Sequence, residues 1–241
     1  MKVRNRILNI ALGITLVLFI ISFSIAFPIL FRPIHTWCIS PMHVREDLND
    51  FFGTTFTFND IKVAYDDILN FCVFYTPFKA GKLTYPIEDM MHFADCRVLF
   101  TLDLTVMLVT LVLLVTALVL KLKIKSIKFS KNTFLISGLV SVILPIFLLI
   151  VSAIDFDKAF TVFHHIFFPG KENWVFDPNV SQIIWIFPEG FFLVCVIIIA
   201  AFIILLSAGC IVTYILMNKK EKLLLKNQEV NNWHISLIMI I

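Results

Sequence analysis

The residues in this sequence best suited to chemistry are histidines placed near carboxylates at the edges of apolar runs. The stretch Asp155–Phe192 separates two long apolar segments, yet it holds His164, His165, five acids and eleven aromatic rings. A plain hairpin between two membrane helices needs none of these. Earlier in the chain, Glu88, Asp89 and Asp95 surround His92. On a helix Glu88 lies one turn before His92, and Asp89 and Asp95 flank it at three residues. A carboxylate beside an imidazole fixes its tautomer and raises its basicity, which is what a general base requires. The same pattern also fits an interfacial histidine on a solvated acidic face. His164 and His165 are open to two readings as well. Adjacent helical residues point about 100° apart, so one can face a pocket while the other caps the helix or faces solvent. Alternatively both snorkel from an amphipathic helix whose stripe is Phe156, Phe160, Phe163 and Phe167.

The surrounding residues extend these two constellations. Trp174-Val175-Phe176-Asp177-Pro178 has the composition of a turn anchored by interfacial aromatics, and Trp174 and Trp185 fit membrane anchors as well as substrate contacts. Glu189 follows Pro188 at the mouth of an apolar segment. An acid there suggests a pocket wall or an ion pair with Arg97, Lys158 or Lys171. Asp103 sits inside an apolar run, where a charge costs about 2.5–3.5 kcal/mol, so it must face protein, water or a partner, or stay protonated.

The missing motifs narrow the chemistry. There is no G-x-S-x-G turn for a serine nucleophile, no H-E-x-x-H zinc pair and no glycine-rich phosphate loop. Five cysteines are scattered without C-x-x-C spacing, which supports neither a zinc ribbon nor a complete disulfide framework. Cys195 and Cys210 fall in apolar runs as packing residues; one bridge among Cys38, Cys72 and Cys96 stays open. No cofactor and no metal is expected, and a net charge of +3 is too small to suggest nucleic acid. Histidine acid–base chemistry on a lipid-embedded substrate remains. Two rivals stand beside it: a tetraspan scaffold without enzymatic activity, and a metal-dependent lipid or peptide hydrolase in which His92 and a carboxylate complete a site in three dimensions.

The elements that position these residues follow from composition. The chain has 241 residues, 59% of them hydrophobic and 15% charged, against about a quarter charged in soluble proteins. Its mean hydropathy is +0.93. The expected fold is an all-α membrane protein of four transmembrane helices, with a small, mainly helical extracellular cap between spans 1 and 2. Residues 1–31 hold the N-terminus and first span; a signal peptide ending near Ser24-Ile25-Ala26 is the alternative. Residues 32–97 form the cap, where Ile61, Tyr65, Ile68 and Cys72 mark one helix and Pro86 starts the next. The second span is 98–122, a lysine-rich link 123–132, and the third span 133–154, with Pro145 as a kink. An outer loop over 155–182, a fourth span within 183–217 and a tail to 241 complete the chain. The tail ends apolar but is too short to span. With Lys121 at the inner end of the second span, twelve of the twenty Lys and Arg residues lie in the N-terminus, link and tail. The positive-inside rule therefore puts both termini in the cytoplasm and both functional loops outside.

Taken together, four features resemble the bacterial lipoprotein intramolecular transacylase family. They are Glu88-x3-His92-x2-Asp95 entering the second span, Phe163-His164-x-Ile166-Phe167, Trp174-x-Phe176-Asp177-Pro178, and Pro188-Glu189-x-Phe191-Phe192. The resemblance covers about Ile7 to Met217. It implies an enzyme of the bacterial cytoplasmic membrane acting on diacylglyceryl-modified lipoproteins among the membrane lipids of the outer leaflet. The sn-2 acyl chain would pass from glycerol to the N-terminal cysteine amine, giving the lyso-form lipoprotein. The family's two catalytic histidines fall on His92 and His164, with His165 taking the role if the helix is rotated. Expected supporting groups are Glu88, Asp89, Asp95, His165, Asp177 and Glu189. Expected substrate contacts are Tyr85, Arg97, Phe160, Phe163, Phe167, Trp174 and Phe176.

Overall fold

The computed structural model describes residues 2–238. Its helices are α1 (Lys2–Leu30), α2 (Pro33–Ile39), α3 (Val44–Phe52), α4 (Phe58–Phe74), α5 (Ile87–Lys123), α6 (Lys131–Ile154), α7 (Phe156–Phe167) and α8 (Glu189–Ile238), with one 3-10 turn at Ile184–Ile186. There is no strand among the described residues. Helices α1, α5, α6 and α8 are each long and apolar enough to cross a membrane.

α1 packs against all three other spans, and α6 packs along α8. Two apolar helices gain little from hydrophobicity when lipid is the alternative, so small residues that admit close approach carry the contact. Gly138 of α6 is such a position. A Cβ there would lie 2.9 Å from the Ser207 carbonyl oxygen of α8 and 3.2 Å from Cys210 Cβ. Between α1 and α6, the Ser137 hydroxyl donates to the Gly13 carbonyl oxygen at 3.1 Å.

The cap is built on α4. Thr57 and Asp60 form a reciprocal capping box at its start, satisfying two of the orphan amides of the first turn. Lys82, then the Thr57 amide, holds the Asp60 carboxyl down at about 2. The expected stripe Ile61, Tyr65, Ile68 and Cys72 is buried, together with Ile34, Ile39 and Leu48 of α2 and α3.

The 3-10 turn belongs to the same core. Ile183 and Ile186 are fully buried there, and the fourth span begins only at Glu189, six residues beyond the expected lower bound. Pro188 explains the break, since a proline pushes the preceding residue out of helical conformation and Phe187 has φ −121°, ψ 62°. Apolar residues 183–187 therefore pack on cap rather than lipid.

α5 runs unbroken from the cap into its span, as expected, with Pro86 one position earlier than anticipated, as an extended N-cap. α6 is continuous through Pro145, and α8 continues well past Met217. The last apolar residues of the tail, 239–241, lie outside the described residues. All five cysteines are free.

Candidate active site

Two helices bring distant histidines together. His92 stands one turn into α5, and His164 sits in the last turn of α7. Their ring centres are 5.8 Å apart, with the planes tilted by 35°. Both are nearly sealed from solvent, at 7% and 5% exposure. His165 points away and is exposed, meeting the edge of Trp174 at 5.5 Å. The doublet thus resolves as helical geometry requires, with one ring in and one out.

Aromatic side chains pack around the two rings. Trp174 stacks on His164 at 4.6 Å, and Phe160 lies 4.1 Å from the same ring. Phe176 meets His92 edge-on at 5.4 Å. Phe168 touches both imidazoles, at 5.1 and 5.7 Å, and is itself buried. Of the aromatic stripe on α7, Phe160 turns inward onto Phe192. Phe163 and Phe167 pair at 4.7 Å and remain about half exposed.

The hydrogen bonds around the two rings differ in kind. Nδ1 of His164 lies 2.7 Å from the Phe160 carbonyl oxygen. A carbonyl oxygen only accepts, so this nitrogen carries the ring proton and Nε2 is left with a free lone pair. Burial lowers the proton affinity of His164, the Phe160 carbonyl works against that, and His165 adds to the lowering. On His92, Nε2 lies 3.3 Å from the Cys96 sulfur, while Nδ1 is buried without a partner. An unmade hydrogen bond of this sort costs about 1–3 kcal/mol, and a ligand atom that completes it recovers that cost.

The carboxylates named from sequence divide three ways. Asp95 accepts hydrogen bonds from Lys171 and, at 3.0 Å, from Asn173, tying the loop after α7 to α5. Trp174 Nε1 donates to the Lys171 carbonyl oxygen at 2.9 Å, so the same tether orients the ring stacked on His164. Asp89 is buried and bonded to the Ser181 hydroxyl. Beside it, Gln182 and Thr84 exchange two hydrogen bonds, at 2.8 and 3.1 Å. Glu88, by contrast, is exposed. Its expected place beside the imidazole goes to no side-chain acid.

Other expected site residues stand apart from the histidines. Asp177 is exposed and accepts from the Asn179 amide and side chain, holding its own turn. Glu189 is exposed in the first turn of α8 and makes no ion pair among the described residues. Arg97 lies over the Phe71 ring at 3.4 Å and near Tyr75 at 4.9 Å, on the α4 side of α5. Tyr85 packs edge-on against Phe78 at 5.0 Å.

Phe168, Cys96, Asn173 and Ser181 were not singled out by sequence as parts of the site. Phe168 continues the one-turn spacing from Phe160 and His164, and Cys96 from His92, so periodicity was the available signal for those two. Nothing local marks Asn173 or Ser181. No three His, Cys, Asp or Glu side chains are grouped to hold a metal ion among the described residues.

Comparison with known proteins agrees with this architecture. The solved structure of the membrane-integral lipoprotein intramolecular transacylase Lit from Bacillus cereus superposes with a TM-score of 0.79 at 24% identity, covering 92% of this chain and 100% of that one. Structures of the same protein with a histidine-to-arginine or a histidine-to-alanine mutation give TM-scores of 0.73, again at 24% identity and 92% of this chain. They cover 95% and 97% of those chains. These likenesses establish the fold of a multi-pass membrane protein. A search of curated proteins finds no match. The family model described as lipoprotein intramolecular transacylase Lit matches residues 10–192. With that match over most of its length, the chain belongs to the lipoprotein intramolecular transacylase family, an acyltransferase family.

Proposed function

We propose that this protein moves the sn-2 acyl chain of a diacylglyceryl-modified lipoprotein from glycerol to the N-terminal cysteine amine, with His164 and His92 as its catalytic groups. The reaction takes place at the outer face of the bacterial cytoplasmic membrane, with both termini in the cytoplasm. The observation that carries the reading is the approach of two sealed imidazoles, one with its lone pair free and the other with an unpartnered nitrogen.

Ester aminolysis needs an unprotonated amine, a stabilised oxyanion and a proton for the departing oxygen. His164 Nε2 accepts a proton from the attacking amine as the nitrogen–carbon bond forms. It returns the same proton to the glycerol oxygen as the carbon–oxygen bond breaks, so the enzyme ends as it began. His92 stays neutral and donates through one N–H to the oxyanion, a role in which a preorganised donor outperforms water. Such acid–base help is typically worth ~10²–10⁴-fold. Amine and ester belong to one molecule, and holding them together contributes several kcal/mol more, about 7–11 at best. Phe160, Phe168, Trp174 and Phe176 confine them and keep competing water out.

Mass spectrometry of a reporter lipoprotein's N-terminal peptide tests the assignment. Cells carrying this protein should place an acyl group on the cysteine amine, and otherwise identical cells lacking it should not. An acyl group that stays on glycerol in both defeats the proposal.

A further inference from the structure

We infer that Cys96 is a positioning residue, which holds the neutral His92 ring in the tautomer that donates from Nδ1. The inference rests on the transacylase reading, in which His92 must offer a proton to the oxyanion. Cys96 lies one turn after His92 on α5, and its sulfur is 3.3 Å from Nε2. Sulfur is a weak acceptor, whereas an unprotonated ring nitrogen is a good one, so the S–H donates and Nε2 accepts. The single ring proton then sits on Nδ1, the nitrogen that is buried and has no partner in the protein. Phe93, Phe168 and Phe176 pack around the ring at 5.8, 5.1 and 5.4 Å and offer it no oxygen or nitrogen acceptor.

The two histidines are therefore set by different devices toward complementary ends. A backbone carbonyl holds the proton of His164 on Nδ1, leaving Nε2 to accept. A side-chain thiol occupies Nε2 of His92, leaving Nδ1 to donate. Without the thiol, neither nitrogen of His92 has a hydrogen-bond partner among the described residues, and the ring is free to present a lone pair where a donor is required. A serine at this position preserves an O–H donor, on a shorter bond; alanine and valine carry none.

The test uses the full-length protein in detergent, labelled with 15N-histidine. Ring nitrogen–proton correlations identify the His92 tautomer, with the His92→Gln protein giving the assignment, and turnover is followed on a diacylglyceryl lipopeptide. Wild type and Cys96→Ser should show the Nδ1–H pattern for His92, whereas Cys96→Ala and Cys96→Val lose it. In those two variants kcat should fall about 10-fold with KM within about twofold, as expected when acid–base alignment rather than binding is lost. Cys96→Ser should recover most of the wild-type kcat. The inference is overturned if Cys96→Ala keeps the Nδ1–H pattern or wild-type kcat. It is also overturned if Cys96→Ser falls as far as Cys96→Ala, which would assign packing alone, or if an acyl thioester is trapped on Cys96 during turnover. A wild-type protein that converts no lipopeptide defeats the transacylase reading, while the ring spectra still decide what Cys96 does.

Discussion

Phe160 accepts the Nδ1 proton of His164 at 2.7 Å, one turn back along the same short helix. The helix that presents the imidazole thus also dictates which of its nitrogens carries the proton. Burial and the neighbouring His165 hold this ring below the ordinary histidine value of 6.5. In an NMR titration the His164 ring should therefore have a midpoint below 6.5, and His165→Gln should move it upward. A midpoint at or above 6.5, or no response to His165→Gln, contradicts the described environment.

His35 predicts the acid sensitivity of the cap. It stacks face to face on Tyr65 at 3.8 Å, and its Nε2 donates to the Ile186 carbonyl oxygen at 2.8 Å. Burial lowers its value from 6.5 to about 4. Between these values the unfolded chain takes up a proton that the native chain resists, so stability rises with pH across the window. The contribution is complete above 6.5 and lost as pH falls toward 4, amounting to about 3 kcal/mol. Thermal unfolding across this range should show the loss, and His35→Phe, which keeps a ring on Tyr65, should flatten it. An unchanged pH slope in His35→Phe contradicts the assignment.

Glu88 and Asp89 are adjacent and chemically alike, yet their substitutions should differ. Glu88→Ala removes an exposed side chain and should change stability by no more than about 0.5 kcal/mol. Asp89→Ala strands the buried Ser181 hydroxyl and should cost about 1–3 kcal/mol. Denaturation of both variants, with Ser181→Ala completing a double-mutant cycle, measures the difference. Equal effects, or no coupling between Asp89 and Ser181, would remove this contact from the account.

The α6–α8 contact depends on the absence of a side chain at Gly138. Gly138→Ala puts a methyl group 2.9 Å from a backbone oxygen that cannot swing away. Overpacking of this sort typically costs about 1–3 kcal/mol. Gly209→Ala on α8 meets nothing within 4 Å and serves as the control. Melting temperatures in detergent should fall for the first and hold or rise for the second; a fall in both would point to helix properties rather than packing.

Much of this architecture was legible because lipid imposes simple rules. Four apolar runs of spanning length could hardly be anything but helices. The buried stripe Ile61, Tyr65, Ile68 and Cys72 followed from period alone. Residues 183–187 were harder, because apolar composition does not distinguish a cap core from a lipid-facing helix; Pro188 was the only local sign. At the site, periodicity could group His92 with Glu88, Asp89 and Asp95, but it could not say which acid turns inward. That depended on Ser181, Lys171 and Asn173, partners far along the chain whose positions no local pattern records. Which of His164 and His165 turns inward likewise waited on the rotation of α7, which sets the His164 ring against Trp174 and opposite His92.

Turnover of a synthetic diacylglyceryl lipopeptide by the purified protein, with the site of acylation read by mass spectrometry, tests the central claim most directly. His92→Gln and His164→Gln should each fold and bind detergent like the wild type, yet transfer the acyl group to the amine about 10²–10⁴-fold more slowly. Transfer at the wild-type rate by either variant would contradict the account.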